Sequence, residues 1–275
     1  MSGTAENPDA LPTGVPLVAG IAIAALISVI SNLLYGRAVG NISCMYELKY
    51  SPSREAFAIW ALIYATCALT IAGQYIMHDI GDPIFASDGG NVFYALAWFC
   101  AAFWTPLFTT NTPFAHLCAS LVLCLCSAFA ISATAFENAW GPGGDERRRW
   151  IVCMPFGLLG GWTLTAAALS AGIAWRAYDN EPDEPCTQLD NPNYRRRLSL
   201  FSRPSTWTHP PHWLPIALAV SVAYSCAVAR EPIVPLPVAW GIFWMPPTLP
   251  NAAAFLIVLG TSVWLFVLVY TESAM

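Results

Sequence analysis

Phe57-Ala-Ile-Trp60-Ala-Leu-Ile-Tyr64, with Pro52 just upstream, opens an apolar run that continues to Gln74. Trp60 and Tyr64 are four residues apart, so on a helix their rings lie on one face, a turn apart. An aromatic pair near the mouth of a membrane helix has two readings. It is an interfacial belt, or it is the wall of a pocket for a flat apolar ligand.

The surrounding composition selects the membrane. Of 275 residues, 56% are hydrophobic and only 11% charged, and the mean hydropathy is +0.53. Too little polar surface remains to cover a water-soluble globule, which normally carries about 25% charged residues. The net charge of −5 comes with basic residues gathered in short loop clusters, so nucleic acid is excluded as a partner class. Membrane lipid is the expected surrounding.

A bilayer span needs about 20 mostly apolar residues. Runs of that kind occupy Val15–Tyr35, Ala56–Met77, Val92–Phe108, Phe114–Phe136 and Trp150–Trp175, then Trp213–Ala229, Ile233–Met245 and Ala252–Tyr270. The seventh is short and broken by Pro235 and Pro237. The expected fold is all-α, a polytopic membrane helical bundle of about eight transmembrane helices, because an unpaired backbone is too costly in lipid. The domain reading is a polar N-terminal segment at 1–14, a five-helix core at 15–177, a Pro- and Arg-rich linker at 178–212 and a helical extension at 213–275. With the N-terminus outside, roughly eight of the 12 basic residues face the cytoplasm and about four do not, the arrangement the positive-inside rule prefers.

Several features carry no chemistry. Of the nine cysteines, Cys67, Cys100, Cys118, Cys124, Cys126, Cys153 and Cys226 lie in apolar runs, where cysteine is a small hydrophobe, and only Cys44 and Cys186 fall in polar stretches. No spacing suggests zinc, and no disulfide framework is expected. Asn41-Ile-Ser43 matches a glycosylation acceptor and reads as a chance match. His116, His78-Asp79 and His209-Pro-Pro-His212 read as span-end or loop residues. No span holds an acidic or basic residue near its middle, where ion-coupled transporters keep them. No nucleophile or acid–base pair stands out, so an enzyme is not expected, and these residues call for no cofactor.

Aromatic residues are the opposite case. Trp60, Tyr64, Trp98, Trp104, Phe108, Trp150, Phe156, Trp162 and Trp175 gather in the second, third and fifth runs. Trp98 and Trp104 are six apart and are expected on nearly opposite sides of their helix, while Trp150 and Trp175 bracket the fifth run as a belt would. Gly157, Gly160 and Gly161 leave room on the fifth helix either for a close neighbour or for a ligand.

These motifs resemble a family. Pro52…Phe57-x-Ile-Trp60-x-Leu-x-Tyr64 is similar to the start of the second helix in the TspO/MBR proteins, the tryptophan-rich sensory or translocator proteins. Phe103-Trp104-Thr-Pro106-Leu-Phe108 resembles their third-helix Trp-Ser-Pro-Leu-Phe. Pro155-Phe156-Gly157-Leu-Leu-Gly160-Gly161-Trp162-x-x-x-Ala166 resembles their fifth-helix motif. The tail, with Ala239-Trp240-Gly241-Ile242, is similar to a longer branch with extra C-terminal helices. Ala101 and Ser170 stand where the family and its longer branch carry Asn, and Leu159 where it carries Tyr.

The resemblance implies a TspO-like five-helix core whose interior binds tetrapyrroles, sterols or similar flat molecules. Trp60, Tyr64, Trp104, Phe108, Phe156, Trp162 and Ser170 would be the contacts, with Thr105, Thr163 and Gln74 as further polar groups. The expected function is binding, sensing or shuttling of such a hydrophobic small molecule. A transporter of a neutral solute is the alternative, and a structural subunit of a membrane complex or a homodimer is a third.

Overall fold

The computed structural model describes residues 14–46, 48, 50–79, 88–140, 146–179, 221, 233–246 and 249–273. The elements are α1 (Gly14–Met45), a 3₁₀ turn (Arg54–Ala58), α2 (Ile59–Asp79), α3 (Asp88–Thr109), α4 (Pro113–Trp140), α5 (Glu146–Asp179), α6 (Pro235–Phe243) and α7 (Leu249–Ser273). Among the described residues, five helical stretches are long and apolar enough to cross a membrane: Val18–Met45, Glu55–Gly73 (the 3₁₀ turn continued by α2), Gly90–Thr109, Pro113–Phe136 and Cys153–Tyr178.

Helix neighbours define a ring in the order α1, α3, α4, α5, α2, closing back onto α1, with α6 against α5 and α7 against α6. One rim collects the α1–α2 connection, the α3–α4 turn and the end of α5. Large side chains such as Leu33, Leu69, Phe103, Leu121 and Leu125 project outward, exposed. That outer surface is suited to lipid and far too apolar for water. Trp98, Trp162, Tyr94, Phe156 and Ile63 fill the inside.

Local chemistry explains the helix ends and the internal prolines. Between α3 and α4, Asn111 takes a positive φ of 54°, a conformation Asn tolerates better than most residues. Thr112 then caps α4, its Oγ1 accepting from the Ala115 N–H at 3.2 Å, and Pro113 occupies the first helical position, where its missing N–H costs nothing. Within α3, Pro106 cannot bond the carbonyl of Ala102. Ser31 of α1 takes that carbonyl instead, its Oγ donating to Ala102 O at 3.0 Å, and Thr105 bonds Ser31 Oγ in turn.

α4 and α5 are stitched by hydroxyls one heptad apart. Ser120 donates to Ala167 O and Ser127 to Gly160 O, both at 2.8 Å. Small residues let the backbones approach, and each such interhelical bond is worth about 0.6 kcal/mol on average. Replacing Ser120 and Ser127 together by alanine is expected to lower stability by about 1–2 kcal/mol, read as a lower melting temperature in detergent. An unchanged melt would remove these bonds from the account of the bundle.

Two expectations change. The seventh run, Ile233–Met245, is a span in the sequence reading. It folds as the nine-residue α6, about 14 Å long and too short to cross a bilayer. Its prolines sit at the start, where a helix accepts them. Cys44, assigned above to a polar stretch, lies in the last turn of α1 and is disulfide-bonded, where no disulfide is expected from the sequence. Asn41 lies inside the apolar stretch Val18–Met45, which is no surface loop, so its acceptor pattern is a chance match. The sixth run apart from Ser221, the linker from 180 onward, Cys186, Cys226 and the His209–His212 loop fall outside the described residues.

Candidate ligand-binding interior

The site grows from the Trp60–Tyr64 pair. On α2 the two rings stack with centroids 5.5 Å apart and planes 25° apart. Tyr64 stacks in turn on Trp98 of α3, at 5.6 Å and 23°. Trp98 meets Tyr94 edge-on at 5.9 Å, and Tyr94 touches Phe156 of α5 at 4.0 Å. The result is a column of five rings running through the bundle from α2 across α3 to α5. Trp60 is buried and Tyr64 half-buried, so the pair faces inward and is no interfacial belt.

Polar groups from α1 hold the column. Asn32 Nδ2 donates to Tyr64 Oη at 2.7 Å and also to Ser28 O at 3.0 Å. Ser28 Oγ shares a hydrogen bond with the same phenol at 3.1 Å. Sequence reasoning missed these residues, together with Tyr94. The signal was present: Ser28, Ser31 and Asn32 stand at helical spacing inside an otherwise apolar span.

The expected contacts divide into three groups. Trp60, Tyr64 and Phe156 belong to the column. Trp162 lies beside it, its ring meeting Phe57 edge-on at 5.6 Å and 86°. Trp104 and Phe108 pair at 5.9 Å, and Phe108 packs on His116 at 4.7 Å. His116 in turn meets Tyr46 at 5.8 Å. This second cluster stands near the rim that carries the α3–α4 turn. Ser170 joins it through the backbone, donating to His116 O at 3.0 Å. His116 is buried with its Nε2 3.3 Å from Asn111 Oδ1, a packed residue that secures the turn. Trp98 and Trp104, expected on opposite sides of α3, are both buried, because α3 has α1 on one flank and α4 on the other.

Thr163 and Thr105, expected to face the pocket, are engaged within the protein. Thr163 Oγ1 donates to Leu159 O at 2.8 Å in its own helix, and Thr105 bonds Ser31. Gln74's side chain lies outside the described residues. The buried polar atoms without a hydrogen-bond partner among the described residues include Trp98 Nε1, Tyr94 Oη, Trp104 Nε1 and Trp162 Nε1, with Asn91 Oδ1 and His116 Nδ1 also among them. Tyr94 and Trp98 border the Cys67 thiol, which is a weak acceptor. A buried donor left unsatisfied costs about 1–3 kcal/mol. An indole N–H can only donate, so the positions beside Trp98, Trp104 and Trp162 suit a ligand carrying acceptor atoms. Among the described residues no group of three His, Cys, Asp or Glu side chains is placed to hold a metal.

The glycines of α5 face protein. A Cβ on Gly160 would lie 3.1 Å from Ile131 Cγ1 on α4, and one on Gly157 2.9 Å from Ile233 Cβ. One on Gly161 would overlap the Val234 carbonyl oxygen. Of the two readings open in the sequence, the close neighbour is what the structure contains, and there are two neighbours: α4 on one face and the residues leading into α6 on the other.

A family model described as TSPO-like protein matches residues 15–181. No curated protein and no solved structure matches the chain.

Proposed function

This chain belongs to the TSPO-like protein family, and we propose that it binds, senses or shuttles a flat hydrophobic ligand, tetrapyrrole or sterol-like, in its aromatic interior. The observation that carries this reading is the column from Trp60 to Phe156 with unpartnered donors beside it. Stacked aromatic walls offer a planar molecule large apolar contact in a defined orientation. Ligand sites are mostly apolar, with a few polar groups that fix the pose. Trp98 Nε1, Tyr94 Oη and Trp162 Nε1 would serve as those groups.

Binding without chemical conversion is the role these side chains suit. Aromatic rings and hydroxyls orient a molecule. A transporter of a neutral solute is the second reading, favoured by α6, a short helix set beside a membrane-spanning one. Discontinuous helices line substrate sites in many transporters.

Purification in mild detergent, followed by absorbance and mass spectrometry of what accompanies the protein, tests the first reading. A tetrapyrrole absorption band or a sterol mass in stoichiometric amount is the expected result. If none co-purifies, and neither porphyrin nor sterol quenches tryptophan fluorescence at micromolar concentration, the binding role fails. Protein-dependent uptake of a neutral solute into liposomes would then favour the transporter.

A further inference from the structure

The rings of the column touch one another, so a planar molecule reaches them only where a wall can give way. We propose that α6 is that wall: a displaceable wedge, seated between α5 and the start of α2, whose withdrawal admits ligand to the aromatic interior. The proposal rests on the ligand-binding reading above and adds its route of access.

The wedge has a built seat. α5 presents Gly157, Gly161 and Thr165 at four-residue intervals, a stripe with little side-chain bulk on one face. Ile233 and Val234 lie over Gly157, Val234 and Pro237 over Gly161, and Gly241 over Thr165. α6 therefore runs parallel to α5 at backbone contact distance. A Cβ on Gly241 would come 2.9 Å from Thr165 Cγ2 and 3.5 Å from Trp162 Cζ3, so neither partner has room for more. Irregular backbone at membrane depth is tolerated only where protein covers it, and Ile233 and Val234 are buried.

The opposite flank of α6 is tied to the residues just before α2. Trp240 Nε1 donates to Ala56 O at 2.8 Å, and the Ser53 N–H donates to Trp244 O at 2.9 Å. α6 thus bridges the two aromatic motifs, the Phe57–Tyr64 stretch on one side and Trp162 on the other. Trp162 is fully buried, with its indole N–H unpartnered and its ring against α6. Withdrawing α6 would uncover this donor at the mouth of the seam, where the acceptor of an incoming ligand would meet it.

This helix is built to move more easily than its neighbours. Nine residues are too few to be stable as an isolated helix. Its seat on α5 is a small-residue stripe, on which six of its nine residues are buried. Among the described residues two hydrogen bonds tie it to the residues before α2, Phe243 meets Phe255 of α7 at 6.2 Å, and one outer face, with Leu236 and Phe243, is exposed. The family match ends at residue 181, so the wedge lies outside the matched core.

A reversible lock tests this. Thr165 Cβ lies 3.8 Å from an ideal Cβ at Gly241, inside the roughly 3.5–4.5 Å span of a disulfide. Thr165→Cys also removes the Cγ2 that a side chain at 241 would crowd. In the full-length T165C/G241C protein, porphyrin association is followed by stopped-flow quenching of tryptophan fluorescence. Wild type treated with the same oxidant and reductant serves as the control, because Cys44 is itself disulfide-bonded. Oxidation of the double variant is expected to slow association at least tenfold, and reduction to restore the wild-type rate. Equal rates in the locked and reduced states overturn the wedge and leave the binding reading standing. Failure of wild type to bind overturns both. Should the double variant not fold, Trp240→Phe keeps the ring and removes the bond to Ala56 O. Association at least threefold faster than wild type is then expected, and an unchanged rate overturns the proposal.

Discussion

Replacing Trp60 and Trp162 together by alanine will weaken porphyrin binding by well over tenfold while the protein is still produced. Trp60 ends the ring column, and Trp162 stands beside it under α6. An aromatic pair contributes about 0.5–1.5 kcal/mol beyond simple burial, and each 1.4 kcal/mol is a factor of about ten in affinity. Two lost indoles therefore exceed that factor. Trp162 is fully buried, and removing such a ring costs about 3–5 kcal/mol of stability, so affinity must be read beside the melting temperature. Trp162→Phe separates the two effects. It keeps most of the apolar contact and removes only the unpartnered N–H and part of the ring, so binding falls while the fold persists. Affinity unchanged in the double alanine variant, measured by fluorescence titration, would remove these residues from the site.

Gly161→Ala is expected to be the most damaging single methyl group that can be added to the bundle. The new carbon would overlap the Val234 carbonyl and lie 3.2 Å from Pro237 Cδ. The first obstacle is backbone, which cannot rotate aside as a side chain does, so the approach to α6 must shift bodily. Overpacking of this kind costs about 1–3 kcal/mol, occasionally more, and the upper part of that range is expected here. Gly36 and Gly260 provide the contrast, since nothing lies within 4 Å of a Cβ at either. Alanine there should be neutral, or stabilising by up to about 1 kcal/mol through helix propensity. Melting temperatures of the three variants in one detergent decide the matter. A Gly161→Ala protein that melts with the other two would mean that α6 does not sit on α5.

Both predictions use motifs that the sequence displayed, but the physical role of each came from its neighbours. The Trp60–Tyr64 spacing was legible, and so were Phe156 and Trp162, because motif order on successive spans survives in one dimension. Ser28, Ser31 and Asn32 were overlooked because hydroxyls within a span usually bond their own helix. Their helical spacing places them on one face, but only the fold shows that this face reaches Tyr64 and Ala102. The α5 glycines carry two meanings in the sequence, since a missing side chain states only that something approaches. Ser170 was read as a pocket residue, and its hydroxyl is engaged by the His116 carbonyl across the α4–α5 seam.

By itself the sequence determined that this is a helical membrane protein with a five-span core of the TSPO-like kind. Those properties are sums over runs of about 20 residues and short motifs in fixed order, and neither depends on what touches what. Tertiary structure alone decided which side of each helix looks inward, which donors lack partners, and that Ile233–Met245 is a wedge on α5 and no span of its own. The physical reason is the solvent. In water a helix announces its inner face by being apolar there. In lipid both faces are apolar, so the inward direction of Trp98, Trp104 or Gly161 is written only in the neighbour that meets it.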